Sequence, residues 1–231
     1  MSNIFALFGV RLRKNRFLLP FLLVAPILLL FVTGTFRPAA SDKELLYLRQ
    51  NLEVFYPFFA FIPLCIVFNN KEEPSFIVLR GSSLIKVASI DAVLCFFAAY
   101  LSGTVTGLML IPRWMIPYFL FSYPVTLLFV VCFALFVRFL CSFRYANIAV
   151  YSFAFLALYY NSGLSEKAVT ETLCRFDPFL GGYAHGIFTG SNGMWYLLDA
   201  VYLQNRLFIL TVSLLLLALA WLLSKQKRLY D

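Results

Sequence analysis

Long stretches of this chain carry almost no charge, and that feature limits what it can fold into more than any other. Residues 87–111 hold one charged side chain, Asp91, and residues 115–140 hold one, Arg138. Four further apolar runs, at 17–34, 54–68, 146–160 and 207–223, hold none. Hydrocarbon offers no water to satisfy a backbone, so a run of this kind is stable there as a helix that bonds every N–H and C=O within itself. The run lengths scatter around the roughly 20 residues a helix needs to cross a bilayer. With 62% hydrophobic and 13% charged residues, the chain lacks the polar side chains to cover a water-soluble domain. The expected fold class is therefore all-α: one polytopic membrane domain over residues 1–231, with about six transmembrane helices.

The net charge of +8 does not point to nucleic acid. The basic residues stand in short groups beside the apolar runs, where they set topology. With the N-terminus inside, twelve of the 19 Lys and Arg fall in cytoplasmic segments, among them Arg11, Arg13, Lys14 and Arg16. That asymmetry is the positive-inside bias, and it places both termini in the cytoplasm. Trp114, Tyr118, Tyr159, Tyr160, Trp195, Tyr202 and Trp221 lie near the run ends, as interfacial aromatics should.

Arg11 to Arg16 followed by an apolar run also resembles a secretory signal, but no A-x-A cleavage site closes the run. It reads as an uncleaved first span. Residues 1–16 mix Ile4, Phe5, Leu7, Phe8 and Leu12 with basic residues, the pattern of a short amphipathic helix on the cytoplasmic face. Two connections exceed simple turns. Residues 69–86 are expected in the cytoplasm. Residues 161–206 are expected outside, partly apolar and folded back on the membrane as a re-entrant-like helical loop.

Chemistry-bearing motifs are sparse. Glu72-Glu73 followed by Arg80 is similar to the acidic-pair-to-Arg string of membrane CAAX-type proteases, but the Arg comes three residues late. The single histidine, His185, falls in the external loop rather than in a span. No phosphate-cradling Gly-x-x-x-x-Gly-Lys-Ser/Thr occurs, so the chain is not expected to be an enzyme, and any ATP-derived energy must come from another subunit. Five cysteines without a CxxC pair read as small buried hydrophobes, and no metal or cofactor site is expected. Asp91 has two readings. Charge inside a membrane usually serves a function, which would make it an ion-coupling acid. The favoured alternative places it about one helical turn into the span, near headgroups and Lys86. Arg138 is expected to snorkel to the cytoplasmic interface.

The most informative stretch runs from Asn69 to Val87, NNKEEPSFIVLRGSSLIKV. Charges open it, Pro74 and Ser75 suit a first helical turn, and Phe76, Ile77, Leu79, Leu84 and Ile85 follow at helix-like spacing. A short amphipathic helix between two spans either lies on lipid or docks in a groove of a cytoplasmic partner.

Here the chain resembles the permease subunits of type-2 ABC exporters. Their equivalent loop opens on an acidic pair and runs through a Leu-x-Ser-Pro-like stretch to a Lys entering the third span. Glu72, Glu73, Leu79, Ser82, Ser83 and Lys86 match it, while Ile77 replaces the usual Gly and no Pro follows Ser83. Residues 1–16 look like the family's elbow helix. Asp177-Pro178-Phe179 looks like its external Asn-Pro-aromatic motif, and Lys225 to Arg228 looks like its basic tail. The resemblance implies a permease half in the cell membrane, as in a bacterial plasma membrane, paired with a second permease subunit. Separate cytoplasmic ABC ATPase subunits would bind the ATP and Mg. Closure of the ATPases would be transmitted through Glu72, Glu73, Phe76, Ile77, Leu79, Arg80 and Lys86. Spans rich in Phe and Leu argue for a hydrophobic or amphipathic cargo, such as a peptide, drug or lipid. The alternatives are a substrate-binding membrane subunit of a vitamin importer and a non-transporting membrane scaffold. The first span lacks the small-x-x-x-small spacing expected of the importer subunit.

Overall fold

The structure is a computed structural model that describes residues 2–18, 84–110, 116–141 and 200–227, together with Pro20, Val24, Ile27, Ser152 and Phe176. Four helices make up these segments: α1 (Ser2–Lys14), α2 (Leu84–Leu110), α3 (Ile116–Leu140) and α4 (Ala200–Lys227). No strand occurs among the described residues. The all-helical class expected from the apolar runs holds for these segments. Three stretches, Ile85–Met109, Tyr123–Leu140 and Leu203–Lys225, are long and apolar enough to cross a membrane. Runs 54–68 and 146–160, apart from helical Ser152, lie outside the described residues, as do Glu72, Glu73, Phe76, Ile77, Leu79 and Arg80. In the first run, Leu18, Pro20, Val24 and Ile27 are helical.

α2 buries a broad face and leaves a narrower ridge bare. Ala88, Asp91, Ala92, Cys95, Ala99, Ser102, Gly103 and Thr106 are buried, recurring every three or four residues along one face. Val93, Phe97, Leu101 and Val105 form the exposed ridge behind it. The small side chains of that face let α3 approach closely, which matters in lipid because packing there depends on dispersion more than on expulsion of water. α3 is the central helix. It is buried on most sides, and it packs against both α2 and α4. α4 buries a single line, Asn205, Arg206, Ile209, Ser213, Ala220 and Ser224, and exposes a broad leucine-rich surface.

Two contacts set the α2–α3 register. Tyr123 Oη donates to the Ala99 carbonyl at 2.8 Å, while Arg138 stands within electrostatic reach of Asp91. As the number rises along α3 it falls along α2, so the two helices run antiparallel, as a hairpin connected near residues 112–114 requires. Tyr123 is fully buried, and its ring stacks on Tyr100 with centroids 6.0 Å apart. The space it fills exists because residue 103 is Gly. A Cβ there would stand 2.5 Å from Cζ and 2.7 Å from Cε1 of Tyr123.

Two buried hydroxyls bond within their own helices, whereas Tyr123 Oη bonds across to α2 and Thr104 Oγ1 is buried without a hydrogen-bond partner among the described residues. Thr106 Oγ1 donates to the Ser102 carbonyl at 3.0 Å, and Ser213 Oγ donates to the Ile209 carbonyl at 2.7 Å. Such back-bonding lets a hydroxyl sit in apolar surroundings without an orphaned donor. At the end of α4, Lys225 places its ammonium 3.5 Å from the centre of the Trp221 ring, one turn earlier. An aromatic ring and a long basic side chain together suit the level of lipid headgroups.

The helix that carries the last apolar run extends beyond it. The last span was expected to begin at residue 207, with residues up to 206 in the external loop, yet α4 begins at Ala200. Asn205 and Arg206 interrupt the hydropathy, but their polar groups are satisfied inside the bundle. Arg206 Nε and Nη2 donate to Asn205 Oδ1 at 3.0 and 2.7 Å, and Nη1 donates to Thr126 Oγ1 of α3 at 2.8 Å. A polar pair that is bonded in place does not end a helix.

Candidate functional site

The densest polar constellation among the described residues joins α1 to the start of α2. α1 forms where apolar and basic residues alternate, and Arg11, Arg13 and Lys14 in its last turn complement the helix dipole. The helix gives way to a turn in which Asn15 N–H donates to the Arg11 carbonyl and Leu18 N–H to the Asn15 carbonyl, both at 2.9 Å. Leu7 and Arg11 stand one turn apart on α1 and face the bundle, and Asn15 and Leu18, in and just past the turn, are buried on the same side as Arg11. Phe5, Phe8 and Leu12 share a neighbouring sector and remain exposed, Phe5 to 77%.

Arg11 meets Asp91 two turns into α2. Arg11 Nε donates to Asp91 Oδ1 at 2.7 Å, and Nη2 forms a second hydrogen bond and ion pair with Oδ2. Asn15 Nδ2 adds a third donor to Oδ1 at 3.0 Å. Arg11 is 4% exposed, Asp91 2% and Asn15 1%, so all three are enclosed by protein. The planar guanidinium fork matches the two carboxylate oxygens, which gives the pair orientation as well as strength. Arg138 of α3 lies close enough to feel both charges, and its Nη1 is shielded from solvent. Arg11 thus holds the carboxylate directly, and Arg138 interacts electrostatically with both.

This arrangement adds partners that the sequence does not show. Asp91 is more enclosed than a carboxylate open to headgroups would be, and nothing in the fold fixes its depth in a membrane. Lys86 is exposed in the first turn of α2, whereas Asp91 is enclosed and bound by Arg11 and Asn15. Arg138, expected to snorkel to the interface, has one guanidinium nitrogen shielded from solvent. Sequence reasoning treated Arg11 as one of several topology-setting charges and gave Asn15 no role. The available signal was Asp91 itself, since a lone carboxylate in an apolar run calls for a partner.

Of the residues assigned to ATPase coupling, Lys86 is the one the structure describes. It sits five positions before Asp91 on the same helix, so what acts on its end of α2 acts close to the buried pair. No group of three or more His, Cys, Asp or Glu that could hold a metal occurs among the described residues. No family model, curated protein or solved structure matches this chain.

Proposed function

We propose that the chain is the permease subunit of an ATP-driven exporter of the type-2 ABC class. In this reading it forms a path for a hydrophobic or amphipathic cargo together with a second permease subunit. Separate cytoplasmic subunits hold ATP and Mg and supply the energy. The observation that carries the reading is the Asn69–Val87 sequence, an acidic opening and apolar residues at helix-like spacing that lead into a helix long and apolar enough to cross a membrane. Three apolar helices, an N-terminal amphipathic helix packed on α2, and a sequence without a phosphate-binding loop all accord with it. The segment 72–86 acts as the lever, a two-state element whose position follows the nucleotide state of the partner.

The lever has a testable energetic signature. A charge at a polar rim contributes about 0–1 kcal/mol, so Lys86→Ala is expected to leave ATPase association nearly unchanged. An apolar anchor in a packed groove contributes about 2 kcal/mol or more. Phe76→Ala and Ile77→Asp are therefore expected to weaken ATPase binding at least tenfold, by the usual about 1.4 kcal/mol per decade. Transport should fall with binding, while membrane insertion stays intact. Binding of the purified ATPase to membranes carrying each variant reads this directly. Full binding by both apolar variants would leave the segment as a helix that merely rests on lipid.

A further inference from the structure

An amphipathic helix floating on a bilayer turns its apolar side to the lipid and its basic residues to water. α1 departs from that pattern. Its exposed apolar sector, Phe5, Phe8 and Leu12, suits lipid, but Arg11 turns inward and is buried. Burying a guanidinium is costly unless its charge is met, and here it is met by a carboxylate 80 residues away in the chain. Leu18, just past α1, enters the same apolar cluster as Ala88 and Ala92 of α2. The helix is therefore held at a polar point and at an apolar point on one face of α2.

We propose that Arg11 and Asp91 form a lock that makes α1 a fixed part of the membrane bundle, and that Asp91 is a positioning residue rather than an ion-coupling acid. Both carboxylate oxygens are engaged, Oδ1 by Arg11 Nε and Asn15 Nδ2 and Oδ2 by Arg11 Nη2. That geometry suits a fastener more than a group that must take up and release an ion. The lock sets the depth and the rotation of α1, and so fixes where Phe5, Phe8 and Leu12 meet the lipid. It also makes α1 and α2 move as one body. If the 72–86 segment is the lever, α1 travels with it. The lock itself does not depend on that reading.

Charge exchange tests the lock on the full chain in membranes. The five native cysteines are replaced, and Leu18, which is buried against α2, becomes the single labelling site as Leu18→Cys. With Arg11 and Asp91 intact, a water-soluble maleimide should react slowly. Arg11→Glu or Asp91→Arg alone should speed labelling by about tenfold or more, since local opening exposes the site. The exchange variant, Arg11→Glu with Asp91→Arg, should label at least about threefold more slowly than either single variant, because the pair is coupled. Recovery should stop short of the starting rate, because Arg138 and Asn15 then face an arginine. Where a single variant does not accumulate in membranes, recovery of accumulation by the exchange is the readout, with the same two outcomes. Unchanged labelling in both singles, or an exchange no better than the singles, overturns the proposal. Transport gives a separate discrimination, because an ion-coupling acid at residue 91 would not be restored by a carboxylate at residue 11.

Discussion

Replacing Gly103 with valine is expected to unseat Tyr123 and to destabilise the α2–α3 pair by about 3 kcal/mol or more, on the scale of overpacking plus a lost buried hydrogen bond. The new Cβ would stand 2.5 Å from Tyr123 Cζ, well inside contact distance, and the ring has little room to retreat. It is fully buried, stacked on Tyr100 and bonded to the Ala99 carbonyl. Moving it would break the hydrogen bond and leave a hydroxyl unsatisfied in an apolar interior. Pro124, the next residue, adds to the effect because it already deprives α3 of one internal hydrogen bond. A double-mutant cycle separates this account from a general intolerance of residue 103. Gly103→Val combined with Tyr123→Ala should cost clearly less than the sum of the two single changes, measured by thermal unfolding in detergent. Additive losses would mean that Gly103 and Tyr123 do not share the space assigned to them.

Removing one member of the Arg11–Asp91 pair should cost about 3–5 kcal/mol, because the survivor remains buried without its partner. Asp91→Leu leaves the Arg11 and Arg138 charges to repel without the carboxylate that offsets them, so it is the more damaging single change. Arg11→Met leaves Asp91 near Arg138 and bonded by Asn15, which offsets part of the loss. The double variant, Arg11→Met with Asp91→Leu, replaces both charges with apolar groups and should cost less than Asp91→Leu alone. Unfolding in graded denaturing detergent orders the three variants. A double variant as unstable as the sum of the singles would contradict direct pairing.

The helices were legible in the sequence to the extent that charge marked their ends. Runs 87–111 and 115–140 lie within three residues of α2 (Leu84–Leu110) and α3 (Ile116–Leu140), because Lys86, Arg113 and the charges after Leu140 bound them. The start of α4 was not legible. Asn205 and Arg206 are polar in the sequence, and the partner that Arg206 finds at Thr126 lies on another helix. The same limit applies to the polar cluster. Arg11 is one basic residue among several near the N-terminus, and nothing in its local spacing distinguishes it from Arg13. What distinguishes it is the sector of α1 that faces Asp91, a contact across 80 residues without a periodic signature. The seat of Tyr123 beside Gly103 is likewise a property of two facing helices, and neither residue stands out in its own run.

Long-range pairs of this kind say how the bundle is fastened, and the export reading rests on what it is fastened for. The most direct measurement is purification of the intact chain from its native membrane in mild detergent, followed by assay of bound nucleotide hydrolysis and subunit stoichiometry. The account predicts a complex in which a separate ATP-hydrolysing subunit is present in equal number to this chain and is stimulated by hydrophobic or amphipathic cargo. A chain that purifies without ATPase from membranes in which it is abundant and folded would contradict it, and tight binding of a vitamin by the isolated chain would point to an importer subunit instead.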